Sequence, residues 1–367
     1  MNPAFRLALE NDLATVNAFN PNQLPVWKHE FFSRLKPQSC LAICEDEGKV
    51  VGTEGYVEYR LLQNGQPILS HRSERTLVSP DYRGKNLFQG MIDLCTATAK
   101  AQGSLFCWGA TAAQKAFERA GFFYKSGYRT YAILPLSNSK YVFKQLVRGK
   151  AIPLNPLKLY KQLKGRDIKV SKEAITAAAQ GRFFFQKLLR KRSQARLEHL
   201  PTPRAWADID ALHARVQTSE TLITLQHDPQ LFEWLETAGQ NRFLKVFSYE
   251  GTTLRSYLCI HLDERDSYAP VLDFCADSAE SLAAAIAHIR LEILRHGFSA
   301  LFFTLNVENA EQLQLLKHLK QMGASNFGRV GTWVIKPLSL EESPIYESMK
   351  SWYLTDLWFA LYNREKL

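Results

Sequence analysis

The chain has 367 residues, too many for one ordinary core, so two or three domains are expected. It is 46% hydrophobic and 12% aromatic, as a folded globular protein is, and no apolar run reaches the roughly 18 residues a membrane-spanning helix needs. The net charge of +10 is concentrated: between Lys140 and Arg196 there are 16 Lys and Arg against only Asp167 and Glu173, which leaves the rest slightly acidic.

From Phe5 to about Leu136 strand and helix signals alternate. Phe5-Arg6-Leu7-Ala8-Leu9 predicts a short strand, and Asp12 stands where a helix N-cap would. Trp27 to Leu35 predicts a short amphipathic helix, and Leu41-Ala42-Ile43-Cys44 a strand. Glu45-Asp46-Glu47-Gly48-Lys49 then makes a hairpin into Val50-Val51-Gly52. Asn64-Gly65 marks a second hairpin, because both residues accept the positive φ of a tight primed turn. Ser73 to Val78 is the next strand. Leu87 to Ala101 carries apolar residues at helical spacing and ends at Gly103. Leu105 to Trp108 predicts a strand, Ala112 to Arg119 a helix stopped by Gly121, and Phe122 to Tyr131 an aromatic strand region.

Residues 138–200 lose that alternation; they are helical in propensity, broken by Pro153 and Pro156, and basic. From Pro201 the first pattern returns. A helix around Ala207 to Val216 precedes strands at 243–247, 256–260 and 270–274. A helix from Leu282 to Leu294, a strand at 300–304, a helix from Glu311 to Met322 and a strand at 331–335 follow. The expected organisation is therefore two mixed α/β units, 1–137 and 201–367, joined by a basic helical connector at 138–200. The aromatic stretch Trp352 to Phe359 is expected to dock on the second unit as a helix.

Chemistry concentrates in Ser73-Glu74-Arg75-Thr76-Leu77-Val78-Ser79-Pro80-Asp81-Tyr82-Arg83-Gly84-Lys85-Asn86-Leu87-Phe88, where a strand turns into a helix. A helix N-terminus offers unpaired N–H groups and a positive partial charge, and so attracts pyrophosphate. Gly84 removes the Cβ that would hold a phosphate away, and Arg83 and Lys85 add cationic charge. Such a site needs no metal. No His or Cys group has zinc-ligand spacing, and Cys95, Cys107, Cys259 and Cys275 lie in apolar runs, where reduced, buried thiols are expected.

This segment resembles the signature of the GNAT superfamily of N-acetyltransferases: Arg or Gln, two residues, Gly, one residue, then Gly or Ala. Its six positions fall on Arg83, Gly84, Lys85, Asn86, Leu87 and Phe88, with Asn86 in place of the first motif glycine and Phe88 in place of the last small residue. Lys115-Ala116-Phe117-Glu118-Arg119-Ala120-Gly121-Phe122 looks like the family's closing helix and Gly-Phe. The resemblance covers roughly residues 5–136.

The resemblance implies acetyl-CoA as co-substrate, held by Arg83, Gly84, Lys85, Asn86, Leu87 and Phe88. The amides of Leu77 and Val78 would lie near the thioester, where they would stabilise a developing oxyanion. It also implies a carboxylate that takes the amine proton, Glu74 first and Glu54 second. Where the family often has a tyrosine to reprotonate the thiolate, this chain has Phe117, so Tyr124, Tyr128 or solvent would serve. Tyr56, Trp108 and Thr111 are the candidate acceptor-binding residues, with a core role for Trp108 equally open.

The second unit has Ala276-Asp277-Ser278-Ala279-Glu280-Ser281 where the first has its basic turn, and these carboxylates would repel pyrophosphate, so a degenerate, non-catalytic copy is expected. Its role would be to wall off the acceptor site or to form a homodimer face. Three readings fit the connector: a solvated linker, a surface for anionic membrane or a lipid-linked acceptor, and, least favoured for want of a reading motif, a nucleic-acid contact. The expected protein is cytoplasmic, since the first residues lack a signal peptide's basic start and apolar stretch, and a peripheral place at the inner membrane face is compatible with that expectation. The similarity of Gly52 to Tyr56 and Arg83 to Lys85 to transferases of surface polysaccharide synthesis makes an amino sugar the favoured acceptor. A peptide or aminoacyl acceptor is the enzymatic alternative, and a CoA-sensing or membrane-docking module the non-catalytic one.

Overall fold

The computed structural model describes residues 3–21, 24–136, 203–237, 243–262, 268–298, 300–339 and 343–359. The basic connector therefore lies outside the described residues. No described helix is long and apolar enough to cross a membrane. The chain divides into two compact units, each assembled from three separate segments.

The first unit comprises Met1–Tyr128, Glu220–Gln240 and Val330–Trp352. Strands β1 (Ala4–Leu7), β2 (Cys40–Asp46), β3 (Lys49–Gln63), β4 (Gln66–Val78) and β5 (Phe106–Gly109) lie in that order across the sheet. All neighbours are antiparallel except β4 and β5, which run parallel. The far edge of β5 is covered by Val334–Pro337 of the late strand β12 (Ser325–Pro337). The two hairpin turns form as their residues dictate: Glu47 and Gly48, then Asn64 and Gly65, all have positive φ. Helices α1 (Leu13–Phe19), α2 (Leu24–Phe31), α3 (Leu87–Ala101) and α4 (Gln114–Arg119) complete its first segment.

Asp12 does not cap α1 with its side chain; it binds the Arg6 guanidinium at 2.7 and 2.8 Å. Strand β7 (Ile223–Leu225) extends the unit by pairing with the end of β3. Helix α6 (Pro229–Thr237) fixes α2 through Trp234, which stacks on His29 and donates to its carbonyl at 3.1 Å.

Two glycines let helices approach the sheet closely. A Cβ on Gly52 would meet the Met91 methyl at 2.9 Å, and one on Gly55 would lie 2.2 Å from the Phe31 ring. A rigid ring cannot bend aside as a methionine can. Gly55→Ala should therefore destabilise the chain by about 1–3 kcal/mol or more and shift α2. Urea unfolding curves with a midpoint unchanged from wild type would refute that packing.

The second unit comprises Arg129–Ser219, Asn241–Arg329 and Tyr353–Leu367. Its sheet runs from the latter half of β6 (Phe123–Pro135), through β11 (Ala300–Asn306), β10 (Tyr268–Ala276) and β9 (Thr253–His261), to β8 (Phe243–Glu250). Helices α5 (Pro203–Val216), α7 (Ala279–Arg295) and α8 (Ala310–Gln321) belong to it. The run β8-β9-β10-α7-β11-α8 repeats the order β2-β3-β4-α3-β5-α4 of the first unit.

Two sequence expectations are corrected. The units are not contiguous: β6 and β12 each split between them, and residues 220–240 and 330–352 belong to the first. The aromatic stretch from Trp352 is not an α-helix but extended chain followed by a 3-10 turn at Asp356–Phe359. It is held by side chains, with Tyr353 Oη donating to the Phe274 carbonyl at 2.7 Å and Thr355 to Asp273 at 2.9 Å. A helix would forfeit those anchors.

Candidate functional site

The turn between β4 and α3 has the form of an anion cradle. Asn86, at the N-cap of α3, takes a left-handed conformation (φ 59) and makes no side-chain cap, so no N-cap side chain competes for the first-turn amides. Gly84 has φ +79, and a Cβ there would meet nothing within 4 Å: the glycine serves the backbone turn, and the space beside it is open. Arg83 and Lys85 are exposed. Arg83 Nε leans on the Val78 carbonyl at 3.3 Å, and the Lys85 ammonium lies 4.6 Å from the centre of the Tyr82 ring. Phe88 does not block the mouth. Its ring turns inward to pack on Phe117, with centroids 5.0 Å apart.

Beside this cradle the sheet opens. β4 pairs with β5 only at Ser70–Arg72 against Phe106–Trp108, six residues before β4 ends at Val78. At the fork Gly109 lies so near that a Cβ would stand 3.3 Å from the Ser73 carbonyl. On its other side β4 stays paired with β3, broken by a bulge: Gly55 faces Glu74 and Thr53 faces Leu77, leaving Arg75 and Thr76 opposite Glu54. Arg75 has φ 59, unusual for a long side chain. Two contacts hold it: its guanidinium makes a two-pronged pair with Glu30 of α2 at 2.6 and 2.8 Å, and its carbonyl accepts from Thr53 Oγ1 at 2.8 Å. Burial opposes the Arg75 charge, but the Glu30 carboxylate outweighs it and lifts the guanidinium pKa above its usual value.

The two candidate bases differ sharply. Glu74 is tied to Arg72, whose guanidinium also donates to Tyr59 Oη at 3.0 Å and lies over the Tyr59 and Trp108 rings. Glu54 is fully buried and faces no cation: Ser73 donates to one carboxylate oxygen at 2.6 Å, and Thr76 donates to the other. Burial pushes its pKa up to about 8, against the downward pull of the two hydroxyls.

An uncapped helix mouth with flanking cations, a half-open parallel pair and a bulge between them occur together. The acetyltransferase (GNAT) domain family matches residues 14–125. These residues are a GNAT acetyltransferase domain.

Solved structures share the fold of the chain. A GCN5-related N-acetyltransferase from Anabaena variabilis is 12% identical, with a TM-score of 0.57, over 92% of this chain and 74% of that one. A conserved protein from Enterococcus faecalis V583 is 9% identical, also at 0.57, over 93% and 74%. The glucosamine N-acetyltransferase region of a fungal multi-domain β-N-acetylglucosaminidase is 11% identical, at 0.50, over 91% of this chain and 38% of that one. No curated protein matches the sequence. The chain as a whole is of mixed α/β fold, with the GNAT domain in its first unit.

The residues expected to bind the acceptor, and the other candidates of the first unit, have these surroundings. Tyr56 is fully buried in the core on α3, its hydroxyl 3.1 Å from Thr96, because its strand position faces the helix layer. Trp108 is likewise buried: its ring stacks on Trp333 and its N–H donates to Ser70 at 3.1 Å, so it takes the core role. Thr111 is half-buried and accepts from the Ala113 amide at 3.0 Å, bracing the start of α4. Tyr124 is half-buried against the cluster that holds Phe88 and Phe117. Leu77 and Val78 end β4 opposite Thr53 and Gly52. Sequence reasoning missed Ser73, Thr76, Arg72 and the Glu30–Arg75 pair; paired hydroxyls around a carboxylate carry no sequence signature.

The counterpart turn in the second unit is closed. Ser278 caps α7 by accepting from the Ser281 amide at 3.1 Å, which removes a donor that a phosphate would use. Asp277 beside it pairs with Arg255 at 2.8 Å.

Proposed function

We propose that the chain is an acetyl-CoA-dependent N-acetyltransferase acting on a primary amine, with an amino sugar, free or nucleotide- or lipid-linked, as the favoured acceptor. The observation that carries the reading is the uncapped mouth of α3 with Arg83 and Lys85 beside it, opening onto the gap between β4 and β5. The α3 amides, Gly84, Arg83 and Lys85 would hold the pyrophosphate, and the free edge of β4 near Leu77 and Val78 would hold the pantetheine arm. Acetyl-CoA supplies the activated acyl group as a thioester. The protein's part is to align amine and thioester, worth roughly 7–11 kcal/mol at best, and to take the proton the amine must lose.

Glu54 suits that task better than Glu74. Glu74 is held in an ion pair by Arg72, whereas Glu54 is held only by hydroxyls and burial lifts its pKa to about 8. A base at that value matches amines of similar acidity, such as α-amino groups at about 8, better than alkylammonium groups near 10.4. This favours an amino sugar or an aminoacyl amine over a lysine side chain, and the glucosamine-acetylating structural neighbour supports the former. Homodimerisation and a peripheral place at the inner membrane face belong to the same proposal.

Acetyl-CoA at about 100 times its Kd should stabilise the chain by roughly 2.7 kcal/mol in thermal melts. CoA thiol release should then appear with amino sugars in a panel that also holds aminoacyl amides and alkyl diamines. Release with aminoacyl amides alone would move the acceptor to the peptide class. A stabilised chain that releases no thiol with any of them would leave the non-catalytic CoA-sensing reading, for which Phe117 in the expected tyrosine position speaks.

A further inference from the structure

Along a regular strand successive side chains alternate faces, so residues three apart, such as Ser73 and Thr76, point to opposite sides of the sheet. Here both donate to the carboxylate of Glu54. The bulge makes this possible: Arg75, in its left-handed conformation, resets the alternation by one residue. Such a backbone state is unfavourable for a side chain of this size and persists only where its surroundings enforce it. The Glu30 pair and the Thr53 hydroxyl do so. The device gives the carboxylate two hydroxyl partners that differ in one respect. Ser73 is buried at 8% exposure and Glu54 at 0%, whereas Thr76 is exposed, on the stretch of β4 that has parted from β5.

We propose that Thr76 is a catalytic residue whose hydroxyl carries the acceptor's proton to the buried Glu54, with Ser73 holding the carboxylate in place. The proposal rests on the acetyl-transfer reading above. As the amine nitrogen bonds to the thioester carbon, its N–H proton passes to Thr76 Oγ1, and the hydroxyl proton of Thr76 passes to the Glu54 oxygen it already touches. The C–S bond breaks, its electron pair leaves with sulfur, and the thiolate takes a proton from solvent. Glu54 returns its proton to solvent along the same hydroxyl before the next turnover. Glu54 must start ionised, so rate rises with pH through its pKa of about 8 and levels off above it. Burying the base behind a hydroxyl also keeps it from pairing with the acceptor's ammonium as a bound salt.

The test compares wild type, Thr76→Val, Thr76→Ser and Glu54→Gln by CoA thiol release from acetyl-CoA, with glucosamine and glycinamide as acceptors, from pH 6 to 9.5. Thr76→Val, of nearly the same shape, should lower kcat by about 100-fold and lose the rising limb, with KM for acetyl-CoA unchanged. Thr76→Ser should keep both the rate, within about fivefold, and the limb. Should Thr76→Val not fold, wild type alone still answers: two protons in flight give a curved dependence of rate on the deuterium content of the solvent, and a straight line overturns the relay. A folded Thr76→Val that keeps its rate within about threefold and its pH profile also overturns it, while leaving the transferase reading intact. Acetyl-CoA binding without thiol release from either amine in wild type would sink both together.

Discussion

Replacing Arg83 and Lys85 together with alanine should raise KM for acetyl-CoA by roughly a hundredfold, because in the proposed site each cation would supply a charge-assisted bond to phosphate. The folded chain should be untouched. Both side chains are exposed, and neither belongs to the buried core. The ligand-free melting temperature should therefore stay within a degree or two, while the upward shift that acetyl-CoA causes disappears. A double variant that retains the full shift would mean that the pyrophosphate binds elsewhere. Raising salt should weaken wild-type binding and leave the double variant's residual binding almost unchanged, since it is the cations whose attraction is screened.

The second large effect is expected at Glu30. Its carboxylate has no exposed surface and meets the Arg75 guanidinium through two bonds. Glu30→Ala removes the carboxylate that makes both of those bonds to the buried guanidinium, a loss of about 3–5 kcal/mol in urea unfolding. The double variant Glu30→Ala with Arg75→Ala should recover part of it, because the buried guanidinium goes too. Full additivity of the two single losses would show that the pair is not coupled. Even a partially stable Glu30→Ala should transfer acetyl poorly, for the bulge that brings Ser73 and Thr76 onto Glu54 loses one of its two restraints.

The part of the site that was legible in the sequence is the part built by consecutive residues. Arg83, Gly84, Lys85 and Asn86 announce a cationic turn that needs positive φ, and Gly84 and Asn86 adopt it. The helix from Leu87 to Ala101 has a periodic apolar face and forms over those very residues. The bulge was not legible, because arginine at 75 gives no hint of a left-handed backbone; the conformation is imposed by Glu30, 45 positions away. The same holds for Tyr56 and Trp108. An aromatic on a strand near the turn reads as pocket lining until the other face is known, and that face was set by α3 for one and by Trp333 for the other. Ile223–Leu225 is too short to announce itself as a strand, and it becomes one only through its partner at the end of β3.

The division of β6 and β12 between the units bears on how the protein is made. A nascent chain that has emerged as far as Leu136 carries β5 and the turn for acetyl-CoA, yet the edge that Val334–Pro337 will cover is still bare and Trp333 has not arrived to stack on Trp108. At 5–20 residues per second the ribosome needs roughly 10–40 s to deliver those roughly 200 remaining residues. For that interval the first third of the chain is an unfinished sheet with an open tryptophan face. Expression of residues 1–137 alone would freeze the chain in that state and yield inclusion bodies rather than a small active enzyme.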